Sequence, residues 1–513
     1  MLLPATLFLW SIYWTQAASS QPHILVIVAD DYGWNDIGYH GSEIKTPTLD
    51  QLAKEGVKLE NYYVQPICSP TRSQLLTGRY QIHTGLQHSI IWWSQDSGLP
   101  SDSPTIAEKL KHAGYKTHAV GKWHLGFARV GYLPTSKGFD TFYGFWGGSE
   151  SYSGHISCDD LHWSHVNHSR VCGLDLRDNL AIDRSQTGHY STHLFTEKAI
   201  DIVHQHDKTK PLFLYLPYQA PHAPMEVPKK YEDMYSNIKD VNRRIYAGMV
   251  TCMDEGIKNV TNAFKKAGLW DDTILVFTTD NGGSIKNHGS NWPLRGGKGT
   301  LFEGGVRGAA FVHGNRLAKK GYVNKELMHV SDWYPTFVNL AKGSLQGTKP
   351  LDGFDQWNTI SHGAKSHRTE LLHNIDPLQV WGNRAFDDTF DNRVSAAIRV
   401  GDWKLLTGQY EGRPESKEWG KRPEGQGHGV VGRSSGQTNK VVRTSSGQKS
   451  IMLYNIRDDP EERHDVSAQH PTVVRHLLDR LKHYNQTMVP VHYPPGDVNA
   501  LPNKHGGVWT HWL

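Results

Sequence analysis

Four oxygen-bearing side chains stand directly after two apolar runs, residues 23–29 and 273–279, that are typical of buried strands. They are Asp30, Asp31, Asp280 and Asn281. Ligands bind at the carboxyl ends of strands in open α/β sheets, so we expect these side chains to converge. Three carboxylates and one amide oxygen suit Ca²⁺ or Mg²⁺ better than zinc. Either pair alone is also typical of a turn or a helix cap, so the metal site is predicted from the two pairs together.

Two lysines and two histidines stand beyond the ends of other predicted strands or in a glycine-rich loop. They are Lys122, His124, His222 and Lys298. Beside a divalent cation such residues suit a tetrahedral oxyanion, because lysines neutralise its charge and a histidine can protonate a leaving oxygen. Each of them alone is more often an ordinary surface residue. The prediction of an oxyanion site therefore depends on their common placement.

A cysteine opens the most distinctive motif, residues 68–79, which reads Cys-Ser-Pro-Thr-Arg-Ser-Gln-Leu-Leu-Thr-Gly-Arg. On its chemistry alone, Cys68 could be a thiolate nucleophile whose pKa is lowered by Arg72. A disulfide between Cys68 and Cys252 is the structural alternative. Because Cys252 lies in a strongly helical segment, we expect it to be a buried free thiol.

Strands and helices must alternate to position these residues. The predicted strands are residues 23–29, 117–120, 212–216 and 273–279. The predicted helices run from Pro47 to Gly56, from Ser103 to Gly114, from Thr192 to His206 and from Asp240 to Lys266. This alternation predicts a large, doubly wound, mostly parallel α/β sheet.

After about residue 380 the pattern changes to short strands and a helix. The predicted elements are a hairpin of residues 396–399 and 403–406, a strand at 451–456 and a closing amphipathic helix at 473–484. Residues 409–450 are rich in Gly, Ser, Arg and Lys and predict a long flexible loop. We therefore expect a catalytic α/β domain at 19–380 and a smaller α+β domain with an antiparallel sheet at 381–513.

The N-terminal residues are uncharged and mostly apolar, and small residues follow them, which predicts a secretory signal peptide over residues 1–18. Three sequons fit a glycosylated secretory protein, at Asn167, Asn259 and Asn485. In that compartment Cys158 and Cys172, which enclose a short polar loop, are the natural disulfide pair. No later apolar run is long enough to span a bilayer, so no membrane span is predicted.

Basic and acidic residues nearly balance, since 55 Lys and Arg against 51 Asp and Glu give a net charge of +4. This weak, dispersed charge argues against a nucleic-acid partner. Histidine is unusually frequent, at 30 of 513 residues. Such a surface would become cationic in an acidic compartment and attract polyanions, although a scatter of surface histidines explains the number equally well.

The motif at residues 68–79 resembles the signature of the type I, formylglycine-dependent sulfatases. Further stretches are similar to this family, and most similar to its arylsulfatase B (N-acetylgalactosamine-4-sulfatase) branch, so that the likeness covers nearly the whole mature chain. They are residues 74–88, 290–295, 349–355, 370–377 and 403–408. The resemblance implies the alkaline phosphatase/sulfatase-like fold.

The resemblance also implies a maturation step and a metal ion. In this family the motif cysteine, here Cys68, is oxidised in the endoplasmic reticulum to Cα-formylglycine, which makes the formylglycine-generating enzyme a partner. A secretory signal peptide is what this maturation requires, so the two signals support each other. Ca²⁺ would be bound by residue 68 and by the four side chains Asp30, Asp31, Asp280 and Asn281.

The other site residues take their expected roles from the same resemblance. Arg72 and Lys122 would hold residue 68 and its sulfated form. Lys298 and His222 would contact the substrate sulfate, and His124 would neighbour the formylglycine hydroxyl. The hydrated aldehyde would attack sulfur, with His222 as the candidate to protonate the leaving oxygen.

We therefore expect hydrolysis of sulfate monoesters, specifically of 4-sulfated N-acetylgalactosamine in chondroitin or dermatan sulfate, in the lysosome or after secretion. One alternative is a digestive or detoxifying sulfatase for small aryl or plant (glucosinolate-type) sulfate esters. A second uses the same scaffold on phosphate esters, which its relatives generally attack with Ser or Thr and transition metals. A third is a catalytically inactive protein that captures sulfated glycans, against which the intact set of site residues argues.

Overall fold

The apolar run at residues 23–29 forms a strand in the middle of a ten-stranded sheet in the computed structural model. The structure describes residues 21–159, 170–409, 419 and 450–513. The predicted signal peptide, the sequon at Asn167 and nearly all of the predicted loop at 409–450 lie outside these described residues.

The described residues form eighteen strands. They are β1 (His23–Ala29), β2 (Val57–Leu59), β3 (Tyr62–Tyr63), β4 (Lys116–Lys122), β5 (Thr141–Phe145), β6 (Ile156–Asp159), β7 (Val171–Leu174), β8 (Leu176–Asp178), β9 (Ala181–Ile182), β10 (Leu212–Pro217), β11 (Thr273–Thr279), β12 (Ala310–His313), β13 (Tyr322–Asn324), β14 (Met328–His329), β15 (Glu370–Val380), β16 (Val394–Val400), β17 (Trp403–Thr407) and β18 (Ile451–Asn455).

The same residues form ten α-helices. They are α1 (Pro47–Glu55), α2 (Cys68–Thr77), α3 (Ile106–His112), α4 (Ser191–Gln205), α5 (Lys229–Glu232), α6 (Val241–Ala267), α7 (Glu303–Val306), α8 (Trp333–Leu340), α9 (Trp357–His362) and α10 (Pro471–Thr487). None of these described helices is long and apolar enough to cross a membrane.

The helix expected to start at Ser103 starts instead at Ile106, because Thr105 is its N-cap. The Thr105 hydroxyl oxygen accepts from the Glu108 backbone N–H at 3.2 Å. In return, the Glu108 carboxylate accepts from the Thr105 N–H at 2.6 Å. This reciprocal capping box fixes the first turn, so the preceding residues stay outside the helix.

The large sheet has the strand order β13-β2-β12-β11-β1-β10-β4-β5-β8-β9. Its central strands β11, β1, β10, β4 and β5 are parallel, whereas β12, β8 and β9 pair antiparallel with their neighbours. The predicted mostly parallel sheet is therefore confirmed for the centre, and antiparallel pairings near its edges make it mixed.

Both faces of the central strands are covered by helices, as a parallel sheet requires. Leu25 and Ile27 of β1 belong to a core cluster that also contains residues of α1, α4 and α6. The alternate residues Val26 and Val28 belong to a second cluster with residues of α2, α3 and α8. Successive side chains of a strand point to opposite faces, so the sheet is doubly wound.

A second, antiparallel sheet has the order β15-β16-β17-β18, and α10 packs against it. The predicted hairpin forms its central pair, β16 and β17. However, β15 lies before residue 381, so this sheet begins earlier in the chain than the expected domain boundary. The run 370–380 buries Leu371 and Leu372 and pairs directly with β16, so these residues belong structurally with the C-terminal strands.

The four cysteines adopt the arrangement expected for each. Cys158 in β6 and Cys172 in β7 form a disulfide with a Cα–Cα distance of 4.1 Å. Cys68 and Cys252 are both buried and free, so the alternative disulfide between them is not formed.

Lys404 of β17 is fully buried between two glutamates, where the small sheet packs against the rest of the chain. Its Nζ lies 2.9 Å from Glu303 of α7 and 2.9 Å from Glu462. Burial raises the pKa of Glu462 to about 7, against the opposing effect of Lys404. Glu303 also lies 3.8 Å from Arg307, so Glu462 is the carboxylate that depends most on Lys404.

Replacing Lys404 with methionine (K404M) should lower the free energy of unfolding by about 3–5 kcal/mol, because Glu303 and Glu462 would stay buried without the ammonium group between them. The matched control is K365M, since Lys365 is 94% exposed and lies 3.7 Å from Glu326. Its effect should stay within about 0.5 kcal/mol. Denaturant unfolding measures both variants, and equal effects would contradict the buried-charge explanation.

Replacing Glu462 with glutamine (E462Q) should change the pH dependence of stability. The pKa of Glu462 is raised from 4.5 to about 7 in the folded protein. Between these values the folded chain keeps a proton that the unfolded chain releases, so wild-type stability falls as the pH rises. Glutamine removes this loss. Denaturant unfolding should show E462Q gaining stability relative to wild type over this interval, whereas a pH-independent difference would oppose the assignment.

Candidate active site

The four predicted oxygen ligands meet at the carboxyl ends of β1 and β11, which are parallel neighbours. The Asp280 backbone N–H donates to the Ala29 carbonyl at 3.1 Å, which holds the two strand ends together. Asn281 Nδ2 donates to Asp31 Oδ1 at 2.8 Å. Asp30, Asp31, Asp280 and Asn281 are all buried.

Three cations neutralise this acidic group. Lys122, the last residue of β4, places its Nζ 2.5 Å from Asp30 Oδ2. Lys298 Nζ lies 2.6 Å from Asp31 Oδ1. Arg72, on the first turns of α2, donates from Nη2 to Asp280 Oδ2 at 2.8 Å.

The neighbouring cations lower the pKa of two of these carboxylates but not that of the third. Burial would raise the pKa of Asp30, but Lys122, His222 and Arg72 together lower it. Burial likewise opposes Lys298 and His222 at Asp31, whose pKa is also lowered. At Asp280, burial and the nearby Asp30 outweigh Arg72 and raise the pKa.

Cys68 is the first residue of α2, so it lies at the positive end of the helix dipole. Its Sγ is 3.6 Å from Asp30 Oδ1. Burial raises the pKa of the Cys68 thiol to about 12, although Lys122 and Lys298 act in the opposite direction. Arg72 is engaged by Asp280, so it does not activate a thiolate. The thiolate alternative is therefore not supported, since an unmodified Cys68 is a neutral thiol.

The two histidines lie beside this group of charges. His222 Nδ1 donates to the Ala223 carbonyl at 2.6 Å, which leaves Nε2 facing Asp31 Oδ2 at 3.7 Å. His124 Nε2 donates to the Ile91 carbonyl at 3.1 Å, and its buried Nδ1 has no partner in the described chain. Burial lowers the pKa of both rings, and neighbouring lysines lower it further.

The donor set fits a divalent cation with oxygen ligands. Asp31 Oδ2 and Asn281 Oδ1 are buried and accept no hydrogen bond from the described residues. Such unpaired buried acceptors are costly unless an ion or water satisfies them. In addition, Asp30, Asp31, Cys68 and His222 each offer one ligand atom within 4.8 Å of the others.

Sequence reasoning did not assign a role to Asn291, which fixes the loop that carries Lys298. Its Oδ1 accepts from the Gly283 N–H at 2.8 Å, and its Nδ2 donates to the Gly283 and Gly296 carbonyls at 2.8 and 3.2 Å. A Cβ on Gly297 would lie 2.7 Å from the Gly283 oxygen, so this close approach requires glycine. The available signals were the glycine-rich composition and the family resemblance of residues 290–295, neither of which assigns this role.

The structure thus brings all ten sequence-predicted site residues to one buried edge of the large sheet. Fixed positive charges surround a group of oxygen ligands and the motif cysteine. Such an arrangement can bind a tetrahedral anion and stabilise charge that develops on its oxygens. The individual role of each residue stays a prediction.

Several known proteins are similar to this chain in sequence or in fold. A family model described as Sulfatase matches residues 22–344. The chain is 49% identical over 502 residues to arylsulfatase J of Mus musculus, across 97% of this chain and 81% of that protein. It is 30% identical over 383 residues to N-acetylgalactosamine-6-sulfatase of Homo sapiens, across 70% of each. The crystal structure of Ps i-CgsB in complex with k-i-k-neocarrahexaose has a TM-score of 0.74 and 28% identity, covering 93% of this chain and 95% of that one.

The family match spans all ten site residues, from the end of β1 to the loop of Lys298. These relatives do not test the expected nearness to the arylsulfatase B branch, which stays a prediction. The extent of the match and the 49% identity nevertheless settle the wider assignment. The chain belongs to the sulfatase family, the enzymes that hydrolyse sulfate esters.

Proposed function

We propose that this protein hydrolyses sulfate monoesters with a Cα-formylglycine formed from Cys68 and with a bound Ca²⁺. The observation that carries the proposal is the position of Cys68. It opens helix α2, with its Sγ 3.6 Å from Asp30 Oδ1, among oxygen ligands and three cations. This is where an attacking group and a tetrahedral anion would meet.

The chain's own residues supply positioning and charge. The hydrated formylglycine would provide a hydroxyl that attacks sulfur, and Ca²⁺ would neutralise sulfate oxygens. Lys122 and Lys298 hold positive charge beside the oxygens of a sulfate ester. Arg72 links the two sides of the site, since it donates to Asp280 and, at 3.2 Å, to the Lys122 carbonyl.

We assign to His222 the role of protonating the leaving oxygen. Because its Nδ1 hydrogen is committed to the Ala223 carbonyl, Nε2 is the atom that gains or loses a proton. A protonated Nε2 can transfer its proton to the leaving oxygen as the bond between sulfur and oxygen breaks.

The substrate that we propose is 4-sulfated N-acetylgalactosamine in chondroitin or dermatan sulfate. It is supported by the similarity to an N-acetylgalactosamine-6-sulfatase and to a structure solved with a neocarrahexaose. The alternative, small aryl or plant sulfate esters, is supported by the 49% identity to a protein named arylsulfatase J. Direct comparison of the two substrate classes distinguishes them.

We further propose that the protein matures in the secretory pathway, where the formylglycine-generating enzyme would act, and works in the lysosome or after secretion. The disulfide between Cys158 and Cys172 is consistent with an oxidising compartment. The sequon residues Asn259 and Asn485 are both exposed, so glycans could be attached at either.

In protein made in a secretory eukaryotic host, mass spectrometry of the tryptic peptide from Leu59 to Arg72 should show an aldehyde in place of the Cys68 thiol. The variant C68S should lose sulfatase activity by at least about 1000-fold, because serine lacks the aldehyde hydrate. The matched control C252S replaces the other free buried cysteine, distant in sequence, and should retain activity.

An unmodified Cys68, in a host that matures other sulfatases, would refute the formylglycine mechanism. So would full activity of C68S. Loss of activity in C252S together with C68S would instead indicate a folding defect, which thermal unfolding of both variants would reveal.

Adding Ca²⁺ to chelator-treated protein should raise the melting temperature. At a concentration about one hundred times Kd, the ion should add about 2.7 kcal/mol of stability, because it binds the folded state. The variant D31N should show no such rise. The control D140N removes a surface carboxylate that lies 2.8 Å from Lys111 and should respond like wild type. An unchanged melting temperature in wild type, or an equal rise in D31N, would argue against the proposed site.

A further inference from the structure

A cavity of about 230 Å³ opens beside the motif cysteine. Its wall includes Ile67 and Pro70, on either side of that cysteine, and Gly299, which follows the loop lysine. The small sheet contributes Asp376 of β15 and Ser395 of β16 to the same wall. The cavity is therefore formed between the small sheet and the segments that carry the motif and the loop lysine, and it lies next to the place where the sulfate would bind.

A histidine–aspartate pair lines this cavity. His88 Nδ1 donates to the Asp376 carboxylate at 2.8 Å, and Asp376 is 4% exposed. The His88 ring also packs edge-on against Tyr493, with ring centroids 4.6 Å apart. Because Nδ1 is committed to the carboxylate, Nε2 is the ring nitrogen left to form a hydrogen bond with a ligand. No hydrogen bond from this Nε2 to another described residue is found.

The residue before His88, Gln87, also contributes to the wall of the cavity. Gln87 is 1% exposed, and its Nε2 donates to the Val489 carbonyl at 3.0 Å. This contact assigns the amide orientation, so the other atom is the oxygen. Gln87 Oε1 is buried and has no hydrogen-bond partner among the described residues. Because this oxygen is buried, the selection of a ligand in the cavity is assigned to the His88–Asp376 pair.

The cavity also has apolar surface, from Ile67, Pro70 and Leu301. Binding sites for sugar rings need both features, since the ring has hydroxyl donors at its edge and C–H groups on its faces. The volume is below the roughly 300–1,000 Å³ of sites for drug-sized ligands, so the cavity suits one ring better than a longer chain.

We propose that this cavity binds the hydroxyl-bearing sugar ring of a sulfated saccharide and that the His88–Asp376 pair selects that ring. This proposal rests on the proposed sulfatase function and specifies its substrate class. Asp376 fixes the orientation of the His88 ring, and His88 Nε2 forms a hydrogen bond with a ring hydroxyl, which can both donate and accept. A small aryl sulfate has no such donors, so it gains nothing from the pair.

The test compares two substrates, 4-sulfated N-acetylgalactosamine and 4-nitrophenyl sulfate, in wild type and in D376N. The variant should lower kcat/KM for the sulfated sugar by about 10- to 100-fold, mainly through KM, because ring hydrogen bonds are lost. For the aryl sulfate the change should stay within about threefold. In inhibition assays with the aryl sulfate, unsulfated N-acetylgalactosamine should bind D376N more weakly than wild type.

A second variant, H88F, keeps an aromatic ring against Tyr493 but removes both ring nitrogens, and it should show the same selective loss. The matched control is D352N. Asp352 forms a pair with His83 at the same 2.8 Å distance but does not line the cavity. Thermal unfolding shows whether each variant is folded, and D352N should leave the ratio of the two activities unchanged.

Three outcomes would overturn the proposal. In the first, wild type cleaves the aryl sulfate but not the sulfated sugar, which would leave the sulfatase function intact. In the second, folded D376N and H88F lose both activities equally, so the pair supports the catalytic centre instead. In the third, matured wild-type protein cleaves neither substrate nor other sulfate esters, and the proposed function fails as well.

Discussion

Three carboxylates buried at the edge of the large sheet impose the constraint on which the site depends. Taking such charges out of water costs several kcal/mol each unless they are paired. Asp30 is paired with a lysine from β4, Asp31 with a lysine from a glycine-rich loop and Asp280 with an arginine from α2. These three ion pairs form only if β4 lies near β1, α2 begins beside the ends of β1 and β11, and the glycine-rich loop brings Lys298 to the same edge. The same charges that make the site stable also make it suited to an anion.

Much of this arrangement could be predicted from the sequence. The apolar run before Asp30 and the one before Asp280 identified two strands, which are neighbours in the sheet. The helix that begins at Cys68 was not predicted. Residues that follow parallel strands reach the same edge of a sheet, so their convergence followed from simple geometry. The apolar runs therefore predicted the central strands of the sheet, and the positions of charged residues at the strand ends predicted the charged part of the site.

Other features could not be read from local patterns. Asn291 looks like an ordinary loop residue, and its role depends on three carbonyl and amide groups that only the folded chain brings near it. The pairing of β15 with β16 depends on contacts across a connection of irregular backbone, so the expected boundary at residue 381 fell after the strand rather than before it. The His88–Asp376 pair joins residues 288 positions apart, a distance that no periodicity reports.

The segment at 496–509 follows the small sheet in the chain and packs against the two-stranded sheet of β6 and β7. Gly496 bridges to Gln95, Val508 bridges to Leu174, and the Trp509 indole donates to the Ser157 carbonyl, 352 residues away in the chain. These contacts can form only after residue 509 has been synthesised, so this part of the fold is completed late in translation. Since Cys68 is only 2% exposed once folding ends, any enzyme that oxidises it must act before then.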